Sequence, residues 1–155
     1  MSMSRVVGGG LIASLFLALP ALSQEKKIQR SGLPPAVEKA VAAQTQGATV
    51  RGFSEEKEHG QTFYEAEFVV NGHSKDVLMD PEGRVVEVEE QVVVDSLSPA
   101  VRDGLQAKAG KGKLVKVESL TKKGKLVAYE AQVVTGGKRS EVQVDPQGQP
   151  LDHEE

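Results

Sequence analysis

Three histidines, the glutamate pairs Glu65/Glu67 and Glu87/Glu89 and the absence of cysteine define the chemistry open to this chain. Nucleophilic catalysis needs a hydroxyl or thiol beside a base that a third group orients, and His59, His73 and His153 are the unassisted neutral-pH bases. His59 and His73 fall in or beside glycine turns and His153 in an acidic tail, so each reads as a solvated side chain and no catalytic residue is assigned. Neither loop histidine belongs to a His-x-x-x-His or Cys-x-x-Cys frame, so no metal site and no cofactor are expected. The end, Asp152-His153-Glu154-Glu155, reads as a frayed acidic tail. Asp80-Pro81-Glu82-Gly83 lacks the alternating oxygen ligands of a calcium loop and reads as a tight turn. Gly110-Lys111-Gly112-Lys113 lacks the spaced glycines of a phosphate loop and reads as a mobile basic turn. Glu65 with Glu67, and Glu87 with Glu89, each share one face of a strand. General acid catalysis would need one of these carboxyls shielded until its pKa neared neutrality, whereas alternation puts the first pair on the wet side of its strand.

The elements that position these residues follow a leader. Arg5 precedes an uncharged run over residues 6–19, Pro20 breaks it, and Ala21-Leu22-Ser23 follows as a small-x-small exit. A charged start, a short apolar middle and small residues at the exit make a secretory signal peptide over residues 1–23, cleaved after Ser23. The run is shorter than the roughly twenty apolar residues a membrane crossing requires and is diluted by Gly8, Gly9 and Gly10, so no span is expected after cleavage. Without cysteine there is neither a lipid-bearing cysteine nor a disulfide, and stability rests on packing and sheet pairing. The mature chain then holds 18 basic and 22 acidic residues, a net charge of −4, which argues against nucleic acid as a partner.

Laid against itself at an offset of 64 or 65 residues, the mature chain repeats. Leu33-Pro34-Pro35-Ala36-Val37 matches Leu97-Ser98-Pro99-Ala100-Val101, Tyr64-Glu65-Ala66 matches Tyr129-Glu130-Ala131, and Asp80-Pro81-Glu82-Gly83 matches Asp145-Pro146-Gln147-Gly148. Units over residues 33–96 and 97–155 follow, with polar residues 24–32 as a flexible lead-in. Each unit opens on a helix, with Ser98 as N-cap and Pro99 at the first helical position in the second unit. The period then changes to two: Tyr64, Ala66, Phe68 and Val70 alternate with Phe63, Glu65, Glu67 and Val69. The second unit sets Val127, Tyr129, Ala131 and Val133 against Ala128, Glu130, Gln132 and Val134. Asn71-Gly72 is a type I′ hairpin signal, Val77 with Met79 and Val142 with Val144 point inward, and Asp-Pro-x-Gly makes a further turn. The fold class is α+β: two tandem repeats, each a helix followed by a three- to four-stranded antiparallel meander, the helices packed on one sheet face. The units differ in charge: residues 33–96 carry 5 basic and 13 acidic side chains, net −8, and residues 97–155 carry 10 basic and 8 acidic, net +2.

A helix-plus-meander unit with a Tyr-Glu-Ala strand, a glycine turn, a Val-x-Met or Val-x-Val strand and Asp-Pro-x-Gly resembles the PepSY-like family of exported bacterial proteins. That family is similar in fold to the secreted β-lactamase inhibitor proteins. The resemblance implies a periplasmic or secreted, non-enzymatic module that binds or restrains another envelope or secreted protein, a peptidase among the candidates. In the inhibitor proteins the exposed sheet face grips its target through many aromatic side chains. Here Phe63 is the one aromatic on that side of the Tyr-bearing strands, and aromatics make up 4% of the chain. The expected docking residues are Phe63, Glu65, Glu67, Val69, Glu130, Gln132 and Val134. The alternative is a cell-envelope sensor of a small ligand or cation, resting on the acidic first unit.

Overall fold

The computed structural model describes residues 24–58, 60–151 and 155. Residues 1–23, read as a signal peptide, and His59 and His153 lie outside the described residues. Eight strands pair in chain order, each antiparallel to the next: β1 (Gln24–Ile28), β2 (Ala48–Glu58), β3 (Gln61–Val70), β4 (His73–Met79), β5 (Val85–Gln91), β6 (Lys113–Lys122), β7 (Lys125–Thr135) and β8 (Lys138–Val144). Helix α1 (Pro35–Gln44) lies between β1 and β2 in the chain, and α2 (Pro99–Ala109) between β5 and β6. The result is an α+β fold on one antiparallel sheet.

Both helices are short and need a sheet to lie on. The α1 stripe buries Val37 and Val41 completely, with Leu33, against Phe53, Ala66, Phe68, Val77 and Met79. The α2 stripe sets Val101 and Leu105, with Leu97, against Val117, Ala131 and Val144. Each such side chain withdrawn from water contributes about 1.5–3 kcal/mol, which makes these two clusters the main cohesive term. Ser98 caps α2 as expected, its Oγ accepting the Val101 N–H at 3.3 Å.

Turn chemistry joins these layers. Asn71 and Gly72 both have positive φ, 51° and 85°, as a type I′ hairpin requires. In the Asp80–Gly83 turn, the Asp80 carboxylate accepts the N–H groups of Glu82 at 3.1 Å and Arg84 at 2.9 Å. Gly83 presses against the first turn of α1, where an added Cβ would stand 2.5 Å from the Ala36 carbonyl oxygen. Gly148 meets α2 in the same way, with an added Cβ 2.2 Å from the Ala100 oxygen. The Asp80 carboxylate is thus committed to its own turn.

Two expectations change. Residues 24–32, read as a flexible lead-in, include strand β1, which pairs with β2 from Gln24 opposite Lys57 to Ile28 opposite Phe53. Backbone pairing at an open sheet edge, with Ile28 packed on the first cluster, orders a segment whose polar side chains show no alternation. The Gly110–Lys113 segment, read as a mobile turn, is tied down. Gly110 donates its N–H to the Gln106 carbonyl at 3.0 Å, and the Gln106 side-chain amide donates to the carbonyls of Gly110 and Gly112. Gly112 lies so close to Val133 that a Cβ would clash at 2.2 Å.

Candidate functional site

Both helices occupy the face that carries Phe53, Ala66, Val77, Val117 and Ala131, so alternation sends their strand neighbours to the opposite, open face. Register then sets carboxylates side by side across the middle of the sheet: Glu67 opposite Asp76, Asp76 opposite Glu89, and Glu118 opposite Glu130. Directly opposed like charges are destabilising. The oxygens of Asp76, Glu89 and Glu118, one from each of β4, β5 and β6, lie within 4.8 Å of one another. Part of this charge is met by donors. Ser54 Oγ donates to Glu65 at 2.8 Å and Ser74 Oγ to Glu118 at 3.2 Å, while Lys27 pairs with Glu67 and Lys116 with Glu118 at 2.6 Å.

Crowding changes the acids. Desolvation, reinforced by the charges of Glu118 and Glu130, pushes the Glu89 carboxyl up to about 9. Desolvation with the Glu65 charge pushes Glu56 up to about 8, and with Glu65 and Glu118 it pushes Asp76 to about 7. Glu87 rises to about 7 by desolvation, which Lys122 opposes from 3.8 Å. Glu65 rises for the same first reason, opposed by its hydrogen bond from Ser54. The expectation of a freely solvated glutamate pair is thereby corrected: neighbours on β2, β4 and β6 half-bury these groups. Shielded carboxyls are what general acid catalysis would require. The space between Glu56, Glu65, Asp76, Glu87 and Glu89 is about 10 Å³, room for about one water, and of these acids Glu87 also lines a larger groove.

The larger concavity lies at the turn end of the same face. A groove of about 790 Å³ has Phe63, Leu78 and Val86 in its lining together with Glu58 and Glu87, and residues 80–82, 84–85 and 122–123 border it. Arg84 is occupied by Asp80 at 2.6 Å and Glu82 at 3.2 Å. At the other side of the face Glu155 is tied to the sheet. Glu155 donates its backbone N–H to Gln143 Oε1 at 2.9 Å, and its carboxylate lies 3.6 Å from Lys122. Leu120 and Ala128, on this face by register, are 3% and 0% exposed.

All seven expected docking residues fall on the open face, but in two groups. Phe63, Glu65, Glu67 and Val69 belong to β3, and Glu130, Gln132 and Val134 to β7, four strand spacings away or about 19 Å. All are half-buried, and Glu130 accepts a hydrogen bond from Gln143 at 2.7 Å beside the position of Glu155. Between the groups stand Asp76, Leu78 and Glu118, which strand-by-strand reading passed over. The available signal was the net charge of −8 over residues 33–96. His73 corrects another expectation: it opens β4 on the helix side, and its Nδ1 is buried without a hydrogen-bond partner.

The fold places the chain among α+β proteins with one helix-backed antiparallel sheet and an open face. Solved structures similar to it include a proposed periplasmic protein of Bacteroides eggerthii, with a TM-score of 0.62, 20% identity, and coverage of 77% of this chain and 86% of that one. A DUF2874 family protein of Bacteroides uniformis follows at 0.58 and 20% identity, covering 75% and 84%. A BLIP-like protein of Bacteroides fragilis gives 0.57 and 21% identity, covering 80% and 89%. At such identities the likeness is one of fold. No family model matches the chain, and no curated protein matches it in sequence.

Proposed function

We propose that this chain is an exported, non-enzymatic protein-binding module of the periplasm or cell exterior, docking its partner on the open face of its sheet. One observation carries the reading: both helices are spent on one face, so the other presents a broad sheet surface with a 790 Å³ groove. The leader-like first residues, the proposed periplasmic location of one structural neighbour and the BLIP-like fold of another support it. Its finer form is a PepSY-like tandem repeat that restrains a peptidase. The recurrence of the Asp-Pro-x-Gly turn pressed on a helix start, at Gly83 with Ala36 and at Gly148 with Ala100, supports the duplication. The test is affinity capture from an envelope extract with the native protein and with Glu65→Lys/Glu67→Lys, both checked for folding by circular dichroism. A specific partner lost with the variant is the expected result, and undiminished capture removes the face from the binding role.

The convergence of Asp76, Glu89 and Glu118 favours a second reading, a divalent cation held by oxygen ligands on the same face. Calcium or zinc should then raise the melting temperature of the native protein and not of Asp76→Asn, and an unchanged melting temperature disposes of the reading.

A further inference from the structure

We propose that the two open edges of the sheet fit each other between molecules: β8 of one copy of this chain receives β1 of a second copy, antiparallel and in the register that β4 and β5 keep within one chain. This goes beyond the docking face, because it uses backbone groups at the sheet edges. The sheet repeats itself pair by pair. All seven pairs of β3 with β4 recur between β7 and β8, from Tyr64 opposite Met79 as Tyr129 opposite Val144 to Val70 opposite His73 as Thr135 opposite Lys138. The pairs of β1 with β2 recur between β5 and β6, from Gln24 opposite Lys57 as Val88 opposite Thr121 to Lys27 opposite Ser54 as Gln91 opposite Glu118. In position, therefore, β8 is the counterpart of β4, and β1 the counterpart of β5.

Within the chain those counterparts pair, with Lys75 opposite Glu90, Asp76 opposite Glu89 and Val77 opposite Val88. Between copies the same register sets Ser140 opposite Lys26, Glu141 opposite Glu25 and Val142 opposite Gln24. Both edges are open among the described residues. Strand β1 pairs with β2 alone, and on the outer side of β8 the one bridge is Val144 with Pro150. Glu155 lies inboard of that edge, against Gln143 and Lys122. The contact thus repeats a step the chain already makes between its halves. On the open face it brings Glu25 and Lys27 to Glu141 and Arg139, two charges of each sign. Like charges stand opposite one another and unlike charges on the diagonals, within reach of lysine and arginine side chains. With charge balanced and the five residues of β1 to pair, the association is weak and concentration-dependent. It is also head-to-tail, so each copy added leaves one β1 and one β8 open at the ends.

The chain has no cysteine, so a disulfide can report this register. The exported protein carrying Lys26→Cys/Ser140→Cys, both at exposed positions, is purified reduced, checked for folding by circular dichroism and oxidised at increasing concentration. Paired antiparallel strands hold opposed Cα atoms about 4.5–5.5 Å apart, within disulfide reach. Inside one chain β1 and β8 stand seven strand spacings apart, about 33 Å along the sheet, so a link between them joins two copies. Expected on non-reducing gels is a ladder of linked dimers and longer chains that grows with concentration and exceeds that of Lys26→Cys/Lys108→Cys, whose second cysteine lies on the exposed side of α2. A ladder no stronger than this control overturns the proposal. Linked dimers in equal yield from Lys26→Cys or Ser140→Cys alone mean that like edges pair, and overturn it too. Either result leaves the open face untouched, since its role is decided by affinity capture.

Discussion

Glu89 shows how the face works through single side chains. Its carboxyl titrates at about 9 in the folded chain, far above the ordinary glutamate value, so the folded state holds a proton that the unfolded state has lost between about pH 4.5 and 9. Stability tied to this group is therefore complete below the unfolded value and drains away as pH rises through the folded one. Glutamine resembles the protonated acid and has nothing to lose. Glu89→Gln should match the native protein in urea unfolding at pH 5 and exceed it at pH 8 by about 1–2 kcal/mol, after discounting for solvent screening. Equal stabilities at pH 8 would show that Glu89 ionises freely. Period-two spacing was enough to put Glu87 and Glu89 on one face. It could not reveal the crowding of Glu89, to which Glu118 on β6 and Asp76 on β4 contribute, one from each side of β5.

Among the elements, the turns are as consequential as the helices they hold. Gly72 and Gly83 both have positive φ, 85° and 76°, but an added Cβ at Gly72 meets nothing within 4 Å, whereas at Gly83 it would strike the α1 backbone. Gly72→Ala should therefore cost only the left-handed backbone, about 1–2 kcal/mol. Gly83→Ala adds overpacking against Ala36 and should cost about 3 kcal/mol or more, with faster amide exchange in α1. Chemical denaturation of the pair decides this, and equal losses would mean that the turn does not clamp the helix. Glycine at the fourth turn position was readable from Asp80-Pro81-Glu82-Gly83, but its contact with a helix start more than forty residues earlier was not. Strand β1 makes the same point from the opposite direction, since its pairing partner on β2 is set by the sheet edge and not by its own residues.

The whole molecule is joined through β5 and β6, which pair from Glu87 opposite Lys122 to Gln91 opposite Glu118. Val92 N–H extends this seam to the Val117 carbonyl at 2.9 Å. A sheet continuous across the junction couples the two hydrophobic clusters, because freeing either half would bare the edge of the other. Calorimetry should accordingly find one unfolding transition, with equal calorimetric and van't Hoff enthalpies. Two separated transitions would mean that the clusters around α1 and α2 melt as independent bodies.

Sequence alone was sufficient for the α+β class, the helix starts, the hairpin glycines and the sorting of the Tyr-bearing strands into two faces, because those depend on residues a few positions apart. The tertiary structure alone decided that eight strands share one sheet, that residues 24–28 complete its edge, and that carboxylates from β2 to β6 meet on a single surface. The physical reason is register. Which residues stand opposite one another across strands follows from pairing between segments distant in the chain, and that pairing turns scattered glutamates of ordinary acidity into a crowded, half-buried face.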